Sequence, residues 1–450
     1  MTPTQPGLTI EAFGDKLRSR QISAVEYTDE CLRRIQAANS ELNAFISVLS
    51  EEARQEARNA DHELEAGQDR GPLHGVPVSV KDLIDIRGTP TTAASRVREH
   101  HVASDDAPAI SMLRRAGAVL IGKTNLHEFA FGTTNEDSAF GPARHPLDSS
   151  RSPGGSSGGS AASIAAGMAM ASLGTDTGGS IRIPAAACGI VGLKPTYGEL
   201  PVAGVVPLSR TMDHIGPLAL TVTDTWHMFQ ALRGRPASGP LASASPAGLK
   251  LKVPRRYFCD ALDDEIRTSF ESALNAIRGA GGQVDDIDIQ NAGDIASIYL
   301  HVVFGDAAAY HAPTLEAMPE KYTVPVRQRL ETARYVLAED YVRALEGREV
   351  LRHQVDAALS ACDALILPTL PIEAPRIGAI TARAGSTEEP VRNLMLRLTQ
   401  LFNLTGHPAI SLPCGSTSAG LPCGLQLVGG RMQTEALLRV AAEIERLLAS

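Results

Sequence analysis

Aromatic side chains are scarce in this chain: ten Phe, eight Tyr and one Trp among 450 residues. So few rings offer no stacking platform for nucleic-acid bases. An excess of basic charge is missing too, since 42 Lys and Arg face 51 Asp and Glu for a formal net charge of −9. That balance speaks against a nucleic-acid partner. The six cysteines (Cys31, Cys188, Cys259, Cys362, Cys414, Cys423) form no CxxC pair, which reads as free thiols in a reducing compartment. No HExxH motif or Cys/His cluster calls for a metal, and no apolar run is built for a bilayer. Residues 1–10 lack a charged-then-apolar leader. The expectation is a cytoplasmic protein with no metal, cofactor, nucleic acid or membrane.

What is present is ordinary for an enzyme: 43% apolar and 21% charged residues. Residues 9–66 read as helical. Ser23 and Glu26 form a capping box, and Val25, Leu32 and Ile35 line one face of the helix it opens. Residues 1–65 are therefore expected to form a helical arm, placed to reach a second subunit, on a single catalytic domain at 66–450, as a monomer or homodimer. Beyond the arm, strands and helices alternate. Strands are expected at 76–80, 118–121, 168–173, 249–253, 284–289, 364–369, 408–412 and 424–428. Helices are expected at 105–116, after Asp263 and at 435–448, with 295–360 mostly helical. That pattern is an α/β fold: one large mixed sheet sandwiched between helical layers.

The most informative stretch is 152–198, SPGGSSGGSAASIAAGMAMASLGTDTGGSIRIPAAACGIVGLKPTYG. Gly/Ser-rich sequence is commonly a linker, but a linker has no reason to continue into an apolar run. We expect a tight loop at 153–159, a small-residue helix at 160–167, a second loop at 174–180 and another helix from Ile181. Ser156 and Ser180 then sit on two Gly-rich turns near helix N-termini, where free N–H groups hold an anionic oxygen. No histidine lies in either turn. Lys81, at the end of an apolar strand, is a candidate base if burial lowers its pKa.

Two short patterns compete. Gly117 to Thr124 fits the phosphate-loop consensus, but its variable positions are the expected strand itself. Gly154-x-Ser156-x-Gly158 fits the nucleophile elbow of α/β-hydrolases, with Asp213, His214 or His407 available to complete a Ser-His-Asp esterase.

GGSSGGSA at 154–161, GTDTGGSIRIPAAACGIVGLKPTYG at 174–198 and GVPVSVKDLID at 75–85 together resemble the amidase signature hydrolases. A departure is Arg144-His145-Pro146-Leu147, where such proteins have Asn-Pro and an aromatic. The resemblance implies Ser180 as nucleophile, Ser156 as a bridging serine after a cis peptide, and Lys81 as base. It also implies an oxyanion hole from the N–H groups of Thr177, Gly178, Gly179 and Ser180, with Ser157, Thr175, Asp176 and Arg182 in support. For Asp176 and Arg182 we expect a structural pairing. The implied reaction is hydrolysis of amides, with anilides, carbamates (a urethanase) and esters open, through an acyl-enzyme. The alternatives are the amide-splitting subunit of a tRNA-dependent amidotransferase and a scaffold with a degenerate site. Residues 335–352 look more like stand-alone amidases. Segments 129–135, 200–214 and 300–335 are expected to shape specificity. Val205, Val206, Leu208, Val302, Val303 and Phe304 among them point toward an apolar or aryl acyl group.

Overall fold

The computed structural model describes residues 7–235, 241–242 and 245–449; the first six residues of the arm and Ser450 of the catalytic domain lie outside these. The strands are β1 (Phe45–Val48), β2 (Pro77–Lys81), β3 (Val119–Thr124), β4 (Ala171–Asp176), β5 (Val191–Lys194), β6 (His214–Ala219), β7 (Lys250–Pro254), β8 (Gln283–Ile287), β9 (Ala364–Pro368), β10 (Thr381–Ala384), β11 (Thr387–Pro390), β12 (Ala409–Ser416) and β13 (Pro422–Val428). Eleven of them make one sheet in the order β1–β3–β2–β4–β6–β5–β12–β13–β9–β7–β8, and β10 pairs with β11 in a separate hairpin. Strand β2 runs parallel to β3 and β4, and β7 parallel to β8 and β9; the other pairs are antiparallel.

Every residue of β2, β3, β4, β5, β6 and β9 is buried. Burial on both faces of a strand requires cover on both sides of the sheet. Helices supply it: Gly158–Ala165 packs against β4 and β2, Arg182–Cys188 against β13, β12 and β5, and Thr434–Leu448 against β12. The mixed α/β fold expected from the sequence is the fold observed.

The N-terminal segment is less purely helical than its sequence suggests. Between helices Ala24–Leu42 and Ser50–Glu65, β1 lies along the edge of the sheet, with Phe45 opposite Thr124 of β3. Gly122 of β3 makes that approach possible, because a Cβ there would stand 2.6 Å from Ser47 O. The arm is thus stitched into the sheet by backbone hydrogen bonds.

Strand β4 also differs. It begins at Ala171 and runs on through Gly174, Thr175 and Asp176, which read as loop. Their partners are Gly216, Ile215 and His214 of β6, some forty residues downstream, so Gly-Thr-Asp is held extended by pairing that no local propensity encodes. Helix Gly158–Ala165 correspondingly starts two residues early.

Candidate active site

Lys81 ends β2, and Thr175 and Asp176 end β4. The two strands are parallel, with Val80 opposite Leu173, so their carboxyl ends open at one edge, where ligands bind in such sheets. Ser156 precedes helix Gly158–Ala165, and Ser180 precedes helix Arg182–Cys188. The Gly155–Ser156 peptide is cis. The two serine turns are joined directly, Ser157 N donating to Ser180 O at 3.2 Å.

Lys81 is wholly buried. Its Nζ donates to Ser156 Oγ and Thr175 Oγ1, each at 2.8 Å, and reaches Thr175 O at 3.5 Å. Ser157 Oγ donates to the same Thr175 carbonyl at 3.2 Å. Burial lowers the Lys81 amine from 10.5 to about 7, with the charges of Asp176 and Asp213 limiting the fall. A buried amine surrounded by hydroxyls, with its proton loosely held, is equipped to accept a proton near neutral pH.

The two turns differ in what their N–H groups do. Around the first, Ser157 N is taken by Ser180 O, and Gly159 N by Asn125 O and Asn135 Oδ1, both at 3.1 Å. Two of that turn's donors are thereby committed to the protein itself. Around the second, the N–H groups of Thr177, Gly178, Gly179 and Ser180 find no acceptor among the described residues. Gly178 is forced: a Cβ there would meet Tyr299 Oη at 2.3 Å and Leu396 Cδ2 at 2.9 Å. Gly179 has φ +141° and would strike Thr399 Oγ1, which itself donates to Gly178 O at 2.5 Å.

Asp176 and Arg182 are fully buried and pair by Nε–Oδ2 and Nη2–Oδ1 contacts of 3.0 Å each. Asp176 Oδ2 also accepts from Ile181 N at 3.1 Å, and Oδ1 from Asn403 Nδ2 at 2.8 Å. Arg182 donates onward to Thr399 O, Gln426 Oε1 and Asn403 Oδ1. Burial alone would raise the Asp176 carboxyl, but the Arg182 guanidinium, with Lys194 and Asn403, holds it well below the carboxylate range. This pair clamps both ends of the Thr177–Ser180 loop, as a structural role requires.

The competing patterns do not assemble. Lys123 is a strand residue, wholly buried, 3.0 Å from Asp82 Oδ1 and donating to Pro90 O and Thr91 Oγ1; no phosphate cradle exists there. His214 turns to the carbonyls of Asp176 and Met212, and His407 to Asp356 and Thr405. Near Ser156 a histidine supplies only main chain, His127 N donating to Ser156 O. Asp213, nominated for a triad, instead accepts from the Thr177 hydroxyl at 2.6 Å and from Leu208 N and Ser209 N. Burial pushes it up to about 6 against those bonds.

With this geometry in place, comparison with known proteins is decisive. The sequence profile of the Amidase family matches residues 26–438. The chain belongs to the amidase family. A Pseudomonas putida amidase is 38% identical over 453 aligned positions, covering 98% of this chain and 96% of its own. A glutamyl-tRNA(Gln) amidotransferase subunit of Koribacter versatilis is 35% identical over 483 positions, covering 98% and 99%. A crystal structure of an amidase superposes with a TM-score of 0.92 at 36% identity, covering 98% and 99%. The chain is an amide-hydrolysing enzyme with the amidase fold.

Several residues of this amidase-family site escape sequence reasoning. Asn403, Gln426 and Thr399 reach the Asp176–Arg182 pair from more than two hundred residues away. The three segments expected to shape specificity do meet: Phe131 packs edge-on to Phe304 with centroids 5.6 Å apart, and Asp306 accepts from Ser209 and Thr211. The apolar residues nominated with them, Val206, Leu208, Val302, Val303 and Phe304, are buried in the core. Among the described residues, no helix is long and apolar enough to cross a membrane, and no His/Cys/Asp/Glu group is arranged to hold a metal.

Proposed function

We propose that this chain is a stand-alone amidase that hydrolyses carboxylic amides through an acyl-enzyme on Ser180, with Ser156 as proton relay and Lys81 as base. The observation that carries the reading is the buried Lys81 amine, lowered to about 7 and hydrogen-bonded to Ser156 Oγ at 2.8 Å. Ser180 Oγ attacks the amide carbon while its proton passes to Ser156 Oγ and the Ser156 proton passes to Lys81 Nζ. The oxyanion forms against the unclaimed N–H groups of Thr177, Gly178, Gly179 and Ser180; one such donor is worth about 2.7–4 kcal/mol of barrier. The proton then returns by the same relay to the departing amine as the C–N bond breaks. Water, deprotonated the same way, attacks the ester and releases acid and Ser180. Ser157, Thr175, Asp176 and Arg182 hold the participants in place.

Internal gaps in the alignments favour the stand-alone reading over an amidotransferase role. Alignment to the amidotransferase chain spans 483 positions, well beyond the 450 residues here, whereas alignment to the amidase spans 453 and needs far fewer gaps. The six unpaired cysteines suit a reducing cytoplasm. A serine-reactive phosphonate should label Ser180, and Ser180→Ala should abolish turnover across a panel of primary amides, anilides, carbamates (the urethanase activity) and esters. Label on Ser156 would overturn the assignment. A partner chain required for amide cleavage would favour the amidotransferase reading.

A further inference from the structure

Arg392 lies in helix Val391–Arg397 and is an arginine without an anion. It makes no hydrogen bond or ion pair among the described residues, and its Nε is sealed from solvent with no acceptor. Arg392 is only partly exposed, and a sealed guanidinium N–H without an acceptor is costly, so a ligand that reaches this group supplies what the protein does not. It lines a cavity of about 390 Å³ shared with Tyr299 and Leu396. These are the two side chains that press on Gly178, so the cavity and the donor loop before Ser180 have a common wall.

The surroundings are short of negative charge. Glu389 lines the same cavity but faces Arg397 at 3.9 Å. Arg392 also acts on His127 and Arg329. There, Asp137 is already shared by His127 at 3.0 Å and Arg329 at 3.5 Å, and Arg329 is further occupied by Phe131 O at 2.8 Å. Glu128 is turned to Thr323. Arg392 is thus left with the surplus positive charge, beside a hydrolytic loop.

We propose that Arg392 anchors a carboxylate carried by the substrate at its non-reacting end, so that the amides this enzyme prefers are monoamides of dicarboxylic acids or close analogues. This rests on the amidase reading and names the substrate class of the same site. A guanidinium suits a carboxylate because its planar fork offers paired donors.

The test pairs succinamate, glutaramate and adipamate with the neutral amides butyramide, valeramide and hexanamide. Binding to Ser180→Ala by calorimetry is measured alongside kcat/KM of the active enzyme. At least one anionic member should bind about tenfold or more tightly than its neutral partner and show a matching lower KM. In Arg392→Met, with and without Ser180→Ala, that ratio should fall to about one. Thermal melting and phosphonate labelling of Arg392→Met report that it is folded. Equal or weaker binding of every anionic member, or a preference that survives in Arg392→Met, overturns the proposal. Failure of the amidase reading looks different: binding follows the anion preference, yet the active enzyme turns over neither member and Ser180 is unlabelled.

Discussion

The protonation of Lys81 is the point at which the mechanism is most exposed to test. A lysine at its ordinary 10.5 would have about one amine in three thousand neutral at pH 7. At about 7, half are neutral at that pH. The difference corresponds to about 5 kcal/mol at about 1.4 kcal/mol per pH unit. With a neutral primary amide as substrate, kcat/KM should rise about tenfold per pH unit below 7 and flatten above it. Lys81→Arg should be nearly as inactive as Lys81→Ala, because guanidinium keeps its proton. Asp213, near 6, titrates close by, so Asp213→Asn separates the two. The negative charge of Asp213 raises the Lys81 value, so its removal should move the limb to lower pH and not abolish it. Stability supplies an independent reading. The folded protein binds fewer protons at Lys81 than the unfolded chain does between about pH 7 and 10.5, so stability from this group rises with pH through that window and is least below it. Lys81→Met should therefore raise Tm most near pH 6, with the gain shrinking toward pH 10. An inflection near 10, or an active Lys81→Arg enzyme, would refute the reasoning.

Other outcomes follow from the same contacts. Asp176→Asn leaves Arg182 buried without its charge partner and should cost about 3–5 kcal/mol in urea unfolding; a loss under 1 kcal/mol would mean that the pair does not clamp the loop. Gly178→Ala should cut kcat sharply by driving the loop against Tyr299 and Leu396, and Tyr299→Phe in the same chain should restore part of it; a fully active Gly178→Ala enzyme would show that the loop gives way freely. Lys123→Ala should destabilise by a similar 3–5 kcal/mol through the unpaired Asp82, while calorimetry with ATP stays flat in both proteins; micromolar ATP binding lost with Lys123 would revive the phosphate-loop reading.

Much of the site is legible in the sequence because its signals are local. An apolar run ending in lysine gives β2 and Lys81. Glycines around Ser156 and Ser180 mark turns where backbone must pass close to backbone: a Cβ on Gly159 would collide with Ala44 O, and one on Gly154 with Pro184 Cα. Asp263 caps its helix as expected, accepting from Glu265 N at 2.9 Å. What stays hidden depends on distant partners. Gly174 to Asp176 are extended only because β6 lies beside them. β1 hides between two strong helices and exists only because β3 offers an edge. The support of Arg182 by Asn403 and Gln426 has no local trace, since neither amide sits in a recognisable motif. Arg392 is hidden for the opposite reason: a lone arginine in a sequence reads as solvated surface, and only its lack of partners in the fold sets it apart.

The position of β12 and β13 has a bearing on how the chain matures. These strands, from the last tenth of the sequence, occupy the middle of the sheet, joining β5 on one side to β9 on the other. While a nascent chain is still leaving the ribosome, its two half-sheets carry open facing edges, which are sites of faulty pairing. β13 also brings Gln426 to Arg182, which flanks the Thr177–Ser180 loop, and Asn403 reaches the same guanidinium from just ahead of β12. Closure of the sheet and completion of the loop's support therefore fall at the end of synthesis, together. A chain cut short before residue 409 lacks β12, β13 and Gln426, so both half-sheet edges stay open and the support of Arg182 is incomplete.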